Sequence, residues 1–196
     1  LAWAAGGGTA LLAPHAWAQA DDWPKRPIRV IVPFPAGALT DTIARVMADG
    51  LSKSLGQAVV VENKLGANGV IGASEVARSA PDGYTWLLTN SSSITINPQL
   101  YKKIPYKASD LAPITPIMES PFIIVANPEW AQRNKINKLS DLLAYARANP
   151  DGVRYGSPGL GNLAHLGALM MSNRANVKTL HIPYKGGSPA QLAVMS

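Results

Sequence analysis

The sequence Pro33-Phe34-Pro35-Ala36-Gly37-Ala38-Leu39-Thr40-Asp41 joins a β-branched run at residues 28–32 to a segment with helical periodicity. It is typical of a strand, a rigid loop and the first turn of a helix. The first backbone N–H groups of a helix have no intrahelical acceptor, and the helix macrodipole is positive at this end. A carboxylate or phosphate can bind there without a cationic side chain, so the stretch predicts an anion site rather than a catalytic one.

Two further strands are predicted after this βα unit. Apolar residues at helical spacing occupy residues 40–55 and end at Gly56, and strands at 58–62 and 84–88 are separated by a helix at 70–80. The continuous apolar run at 58–62 is typical of a strand covered on both faces. The β-α-β-α-β order predicts a parallel sheet with helices on both faces.

Polar side chains follow the third strand, in the sequence Thr89-Asn90-Ser91-Ser92-Ser93. In open α/β sheets, ligands bind in the crevice outside the carboxyl ends of the strands. Because the loop around Gly37 lies at the same edge, residues 91–93 are expected either to face that crevice or to cap a helix at 94–103. Asp41 likewise either complements the dipole of the first helix or holds an amine or bridging waters of a ligand.

A second α/β series begins after apolar runs at 112–118 and 122–126. Its predicted elements are a helix capped by Ser140, a strand at 153–155, a glycine-rich loop at 156–161, a helix at 162–175, a strand at 179–183, a loop at 184–188 and a helix from Pro189. We expect residues 21–125 and 126–196 to form two α/β lobes. Both are expected to be incomplete, with the chain a fragment cut at both ends, because the second sheet has too few strands and the last helix has no stop signal.

Composition narrows the function classes. The chain of 196 residues is 47% hydrophobic and has no cysteine, which favours packed cores and excludes disulfides, thiol catalysis and Cys-ligated metals. The formal net charge of +6 is scattered, with no basic helix face interleaved with aromatics, so no nucleic-acid partner is predicted. Residues 1–20 are uncharged and end in Ala16-Trp17-Ala18-Gln19-Ala20, which is typical of the tail of a signal peptide and predicts export.

Two enzymatic interpretations and a metal site are poorly supported. Gly159-Leu160-Gly161-Asn162-Leu163-Ala164 matches a dinucleotide fingerprint, but residues 152–196 contain no Asp or Glu to hold a ribose. Ser157 and His165 suggest a hydrolase, yet the G-x-S-x-G elbow is absent, and a histidine soon after a glycine-rich loop indicates packing or loop bracing.

Histidines 165 and 181 also have no Cys or acidic companions at ligand spacing, so neither a metal nor a cofactor is predicted. The loop glycines are expected instead to let the backbone approach a ligand and to offer N–H groups to an anion.

Six ordered segments between Trp23 and the end of the chain carry a family resemblance. They are Pro33-Phe34-Pro35-Ala36-Gly37 with Asp41, Val61-Glu62-Asn63-Lys64 with Gly66 and Gly69, Pro81-Asp82-Gly83-Tyr84-Thr85, Ile96-Asn97-Pro98, Tyr155-Gly156-Ser157-Pro158-Gly159 with Gly161 and His165, and Ile182-Pro183-Tyr184-Lys185-Gly186-Gly187. With these segments the chain closely resembles the Bug (TctC-like) family of periplasmic solute-binding proteins of tripartite tricarboxylate transporters.

The resemblance implies an α/β, two-lobed fold of the type II (Venus flytrap) periplasmic-binding-protein class, truncated at the C-terminus. Such a protein is a periplasmic monomer without enzymatic activity or cofactor. It binds a small carboxylate between its lobes and delivers it to membrane permease subunits of the TctA/TctB type. Family ligands include dicarboxylates, tricarboxylates, acidic amino acids and aromatic acids. A sensor that signals to a membrane kinase is the alternative within the same family.

The resemblance also assigns the ligand-binding residues. These are Phe34, Ala36, Gly37, Ala38, Leu39, Asp41, Ser91 and Ser92 in the first lobe, and Ser157, Gly159, Gly161, Asn162, Tyr184 and Gly186 in the second. The family uses backbone amides and ordered waters rather than an arginine clamp. Two positions depart from its pattern. Ala38 replaces a glycine, which would cost on the order of 1 kcal/mol if φ must be positive there, and Asn162 replaces a serine.

Overall fold

The computed structural model describes residues 23–196, in which a three-stranded parallel sheet forms the centre of the first lobe. The strands β1 (Ile28–Val32), β2 (Val59–Asn63) and β3 (Thr85–Leu87) lie in the order β2-β1-β3. Helix α1 (Leu39–Leu55) joins β1 to β2, and α2 (Val70–Ala77), preceded by a 3₁₀ turn, joins β2 to β3. The predicted parallel sheet is confirmed, whereas the predicted signal segment, residues 1–20, lies outside the described residues.

The two helices cover opposite faces of the central strand β1. Ile28, Val30 and Val32 pack with Ala44 and Ala48 of α1 in one buried cluster. Ile31, one residue out of phase, lies on the other face against α2. Burying a side chain of this size contributes about 1.5–3 kcal/mol, so the β-branched run of β1 accounts for much of the stability of the lobe.

Gly72 is the point at which α2 packs most closely on β1. A Cβ atom there would lie 2.9 Å from Pro33 Cβ and 3.2 Å from the Lys64 carbonyl oxygen. We therefore expect Gly72→Ala to lower the free energy of unfolding by roughly 1–3 kcal/mol through overpacking. The matched control is Gly50→Ala in α1, where a Cβ meets nothing within 4 Å and the gain in helix propensity stabilises by up to about 1 kcal/mol. Urea unfolding of both variants checks the opposite signs.

The prediction that β2 is covered on both faces is wrong. Val60 is 45% exposed, because α2 packs mainly on β1 and β3. Beside it, Arg29 forms hydrogen-bonded ion pairs with Glu62 of β2 and Glu75 of α2, at 2.7 and 2.8 Å. The side chains of Arg29, Glu62 and Glu75 thus cover part of the face of β2 on which Val60 lies.

The helix predicted at 94–103 begins earlier and is shorter in the structure. A π-helical turn, Ser92–Ile96, leads into α3 (Asn97–Leu100), and Tyr101 already has extended backbone angles. The two apolar runs within 112–126 have no regular secondary structure, and Ile114 and Ile123 are more than 70% exposed.

The second lobe is built on two parallel strands, β4 and β5. After α4 (Pro128–Arg133) and α5 (Leu139–Ala148), β4 (Arg154–Ser157) leads into α6 (Leu163–Ala175), and β5 (Leu180–Pro183) leads into α7 (Gly187–Met195). The last helix begins two residues before the predicted Pro189. No helix in residues 23–196 is long and apolar enough to cross a membrane.

The predicted cap of α5 is also wrong. Ser140 lies inside the helix, and the N-cap residue Lys138 makes no side-chain capping bond. Asp141 holds the turn before the helix, since its Oδ2 accepts a hydrogen bond from the Asn137 N–H at 3.1 Å. A carboxylate in the first turn also complements the helix dipole.

Candidate functional site

Asp41 holds the loop between β1 and α1 in place. Its Oδ2 accepts hydrogen bonds from the Gly37 N–H (2.8 Å) and from Arg45 Nε (3.0 Å). Its Oδ1 accepts one from Asn63 Nδ2 (2.8 Å), which also donates to the Phe34 carbonyl at 3.0 Å. The residue is only 2% exposed, so both carboxylate oxygens are committed within the first lobe. Asp41 thus shapes the predicted anion loop, and its assignment as a ligand contact stays a prediction.

These contacts make Asp41 a source of acid sensitivity. The hydrogen bond from Arg45, followed by those from Gly37 and Asn63, outweighs burial and lowers the pKa of Asp41 to about 2. Because the pKa is depressed on folding, its stabilisation is present above the unfolded-state value of 3.8 and is lost as the pH falls towards 2.

We expect the wild-type protein to lose roughly 1–2 kcal/mol of unfolding free energy through this group between about pH 5 and pH 2.5. Urea unfolding at both pH values checks this. Asp41→Asn removes the titrating group, so it should lack that part of the loss. An equal pH dependence in the two proteins would contradict the role of Asp41.

The remaining residues of the first predicted loop have different surroundings. The side chain of Phe34 packs against the apolar core under α1, whereas Ala36 and Leu39 are exposed. Ala38 is the N-cap residue of α1, with φ −72° and ψ 162°. Alanine adopts these angles without strain, so the predicted cost of replacing a family glycine does not arise. The positive φ of the loop, +77°, falls on Gly37.

The predicted serines begin the π-helical turn after β3. Ser91 is exposed and its carbonyl accepts a hydrogen bond from Thr95 Oγ1 at 2.8 Å. Ser92 is fully buried, and within residues 23–196 its hydroxyl is the one buried side-chain polar atom without a hydrogen-bond partner. Its N–H donates to Asn90 Oδ1 at 3.0 Å. The segment therefore begins a helix, but no serine side chain caps it, and its place at a ligand stays a prediction.

The second glycine-rich loop is held by side chains of its own lobe. The Gly159 N–H donates to Ser157 Oγ (3.2 Å), and Ser157 Oγ lies 2.7 Å from His181 Nε2. The Gly161 N–H donates to His165 Nδ1 at 3.2 Å, which confirms the predicted loop-bracing role of His165. Sequence reasoning missed His181. The parallel register that pairs it with Tyr155, next to the glycine-rich loop, is the signal that could have found it.

One expectation about the loop glycines is wrong. The N–H groups of Gly37, Gly159 and Gly161 each donate to a side chain of their own lobe, namely Asp41, Ser157 and His165. They are thus already engaged rather than offered to an anion. The backbone N–H groups that have no intrahelical acceptor follow these loops, in the first turns of α1, α6 and α7. The assignment of these three glycines as ligand-binding residues stays a prediction.

The loops of the two lobes lie opposite one another. Asn162 caps α6 by accepting the Ala164 N–H, and its Nδ2 donates to Asn68 Oδ1 of the first lobe at 3.2 Å. Asn68 Nδ2 in turn donates to buried Asn97 Oδ1 at 3.0 Å.

The lobes make two further close contacts at positions where only glycine leaves enough room. A Cβ atom at Gly186 would lie 2.7 Å from Pro35 Cγ, and one at Gly161 would collide with Leu100. The remaining predicted residue, Tyr184, packs its ring over Gly156 of β4. The structure therefore brings the carboxyl-terminal edges of the two sheets together.

Comparison with known sequences identifies the family. A family model described as "Tripartite tricarboxylate transporter family receptor" matches residues 43–196. A UPF0065 protein of Bordetella pertussis is 41% identical over 185 residues, covering 94% of this chain and 56% of that protein. Protein BugT of the same organism is 44% identical over 174 residues, covering 88% and 52%. The chain thus spans about half the length of these relatives.

Solved structures confirm the fold class. MatC from Rhodopseudomonas palustris with bound malate superposes with a TM-score of 0.77 at 29% identity. R. palustris Rpa4515 with adipate gives 0.74 at 30%. Both alignments cover 88% of this chain and 57% of the other. The periplasmic binding protein BugD gives 0.67 at 32% identity. Taken with the paired lobes and their opposed loops, these matches show that the chain belongs to the tripartite tricarboxylate transporter receptor family.

Proposed function

We propose that the protein binds a small carboxylate between its lobes in the periplasm and presents it to the membrane subunits of a tripartite transporter. The observation that carries the proposal is the convergence of strand-to-helix loops from two parallel sheets, with Pro35 against Gly186 and Asn68 bonded to Asn162. Each loop leads into the positive end of a helix, where an anion is stabilised by unpaired N–H groups. As part of this proposal, we put the boundary between the lobes near residue 125.

The chemistry of the loops favours a carboxylate recognised by main-chain donors. Arg45, four residues after Asp41, is bonded to Asp41 and to Asn63. It is therefore held away from the role of a direct clamp. Malate and adipate, which occupy two of the similar proteins, are the first acids to test. The net charge of +6 would assist the approach of anions.

A serine-based enzyme is the second candidate, because Ser157 Oγ lies 2.7 Å from His181 Nε2. Ser157 is only 1% exposed and its hydroxyl also bonds to Gly159. In addition, residues 152–196 contain no carboxylate that could orient the histidine. Turnover of an ester substrate that is abolished by Ser157→Ala would favour the enzyme, whereas binding without turnover favours the receptor. A sensor role would show as binding to a membrane kinase in place of a permease.

Binding is tested by thermal shift and calorimetry against malate, adipate, citrate, glutamate and nicotinate. A ligand at 100 times its Kd adds about 2.7 kcal/mol of stability, which corresponds to a rise in Tm of roughly 5–10 °C for a chain of this length. The dimethyl ester of each diacid is the matched control, because it keeps the shape and removes the charge. Stabilisation by an acid and not by its ester is expected. No response to any acid would contradict the proposal.

A further inference from the structure

The second-lobe loop rests on a column of three aromatic rings. Tyr155 of β4 stacks on His181 of β5 with ring centroids 5.0 Å apart, and His181 stacks on His165 of α6 at 4.1 Å. The parallel pairing of β4 with β5 places Tyr155 directly beside His181. We call Tyr155, His181 and His165 the histidine column.

Both histidines of the column hold the loop through specific atoms. His165 Nδ1 accepts the Gly161 N–H at 3.2 Å. A ring nitrogen accepts only when it is unprotonated, so this contact requires a neutral His165 with its proton on Nε2. Ser157 Oγ lies 2.7 Å from His181 Nε2 and 3.1 Å from the Gly159 carbonyl oxygen, so His181 contacts the side chain that holds the start of the loop. The loop conformation therefore depends on the protonation state of the column.

The surroundings of the column disfavour a charged ring. Burial, and then the proximity of His165, lowers the pKa of His181. The aromatic neighbour on β4 is Tyr155, whose pKa is raised by burial, so it is neutral. Arg154 lies on the opposite face of β4, α7 has no ionisable side chain, and residues 152–196 contain no Asp or Glu. Within residues 152–196 no carboxylate thus provides a counter-charge for an imidazolium, and two stacked imidazolium rings would repel.

We propose that His165 and His181 are positioning residues that keep the loop 157–162 in its ligand-receiving conformation only while His165 is neutral. Protonation of His165 Nδ1 turns the acceptor of the Gly161 N–H into a donor, which releases the loop and weakens the capture of a carboxylate. This inference rests on the proposed function for the contact between loop and ligand.

Affinity as a function of pH tests the proposal, with malate as the probe, or adipate if malate does not bind. As the pH is lowered below about 7.5, wild-type affinity is expected to fall by at least about twofold more than that of His165→Asn, because only the wild type loses its acceptor when the ring is protonated. The asparagine Oδ1 can replace Nδ1 as the acceptor and does not titrate, so at pH 7.5 this variant should bind more tightly than His165→Ala. His165→Ala, which removes the acceptor, should bind about tenfold more weakly than the wild type at pH 7.5. Protonation of malate or adipate affects the wild type and the variants equally, so it does not alter the difference between their affinities.

A second measurement needs no ligand. In ¹⁵N-labelled protein, the Gly161 amide shift is expected to follow the titration of the His165 ring with the same midpoint, and to be constant in His165→Asn. If no acid binds at pH 7.5, the proposed function fails, and this titration alone decides the role of His165. A Gly161 amide that ignores His165, or equal pH profiles in the wild type and His165→Asn, would overturn the inference.

Discussion

Replacing Asp41 by alanine is expected to lower the free energy of unfolding by roughly 2–4 kcal/mol and to abolish measurable carboxylate binding. The substitution removes the shared acceptor of the Gly37 N–H and Asn63 Nδ2 and the partner of Arg45. Partly buried donors left without an acceptor carry part of their desolvation penalty, and the loop loses its anchor. Urea unfolding and calorimetry with the acid that binds the wild type measure the two effects.

Asp49→Ala is the matched control for this prediction. Asp49 lies on the same helix and pairs with Lys53 four residues on, as Asp41 pairs with Arg45. Its side chain is 70% exposed, however, and an exposed pair of this kind contributes less than about 1 kcal/mol. Near-wild-type stability and affinity are therefore expected. Equal losses in the two variants would mean that helix electrostatics, rather than the bracing of the loop, stabilise this region.

Gly186→Ala is expected to weaken carboxylate binding by about tenfold or more and to destabilise the protein by roughly 1–3 kcal/mol. The residue caps α7 with φ +125° and ψ 172°, a conformation essentially restricted to glycine. The added methyl group would also stand 2.7 Å from Pro35 Cγ and push apart the loops that face each other across the lobes. Calorimetry measures the affinity, and thermal unfolding the stability.

The adjacent Gly187→Ala separates these causes from a general effect of a methyl group at this helix end. Gly187 is the first residue of α7, and a Cβ there meets nothing within 4 Å. Affinity and stability close to those of the wild type are expected, with a change below about 0.5 kcal/mol. If both variants bind equally weakly, contact with Pro35 is not the reason.

The parts of the fold that can be predicted are those set by local chemistry. The β-branched run of β1 and the apolar spacing that ends at Gly56 correctly indicate a strand and a helix, because both signals lie within one element. For α5 the sequence favours Ser140 as the cap, whereas the helix begins at Leu139 and its N-cap residue Lys138 makes no side-chain capping bond. Ser140 is a good capping type, but only the backbone geometry shows where the helix begins.

The site is harder to predict, because its supports come from distant parts of the chain. Asn63 reaches Asp41 from 22 residues away, and His181 reaches Ser157 from 24. Neither pair has a sequence spacing that marks it. The glycines indicate the loops themselves, yet the N–H groups of three of those glycines bond to nearby side chains. The sequence therefore predicts where these loops lie in the fold, but it does not predict which acceptors their N–H groups bond to.

The hydrogen bond between Asn68 and Asn162 marks a contact between the lobes, and a fluorescent label beside it could follow their separation. Leu160, two residues before Asn162, is 65% exposed, and the chain contains no cysteine. A Leu160→Cys variant would therefore carry a single thiol beside the junction, where an environment-sensitive dye can be attached without competing sites. If the protein binds a carboxylate between its lobes as proposed, emission from that dye would follow the movement in real time and make the protein a fluorescent biosensor for that acid.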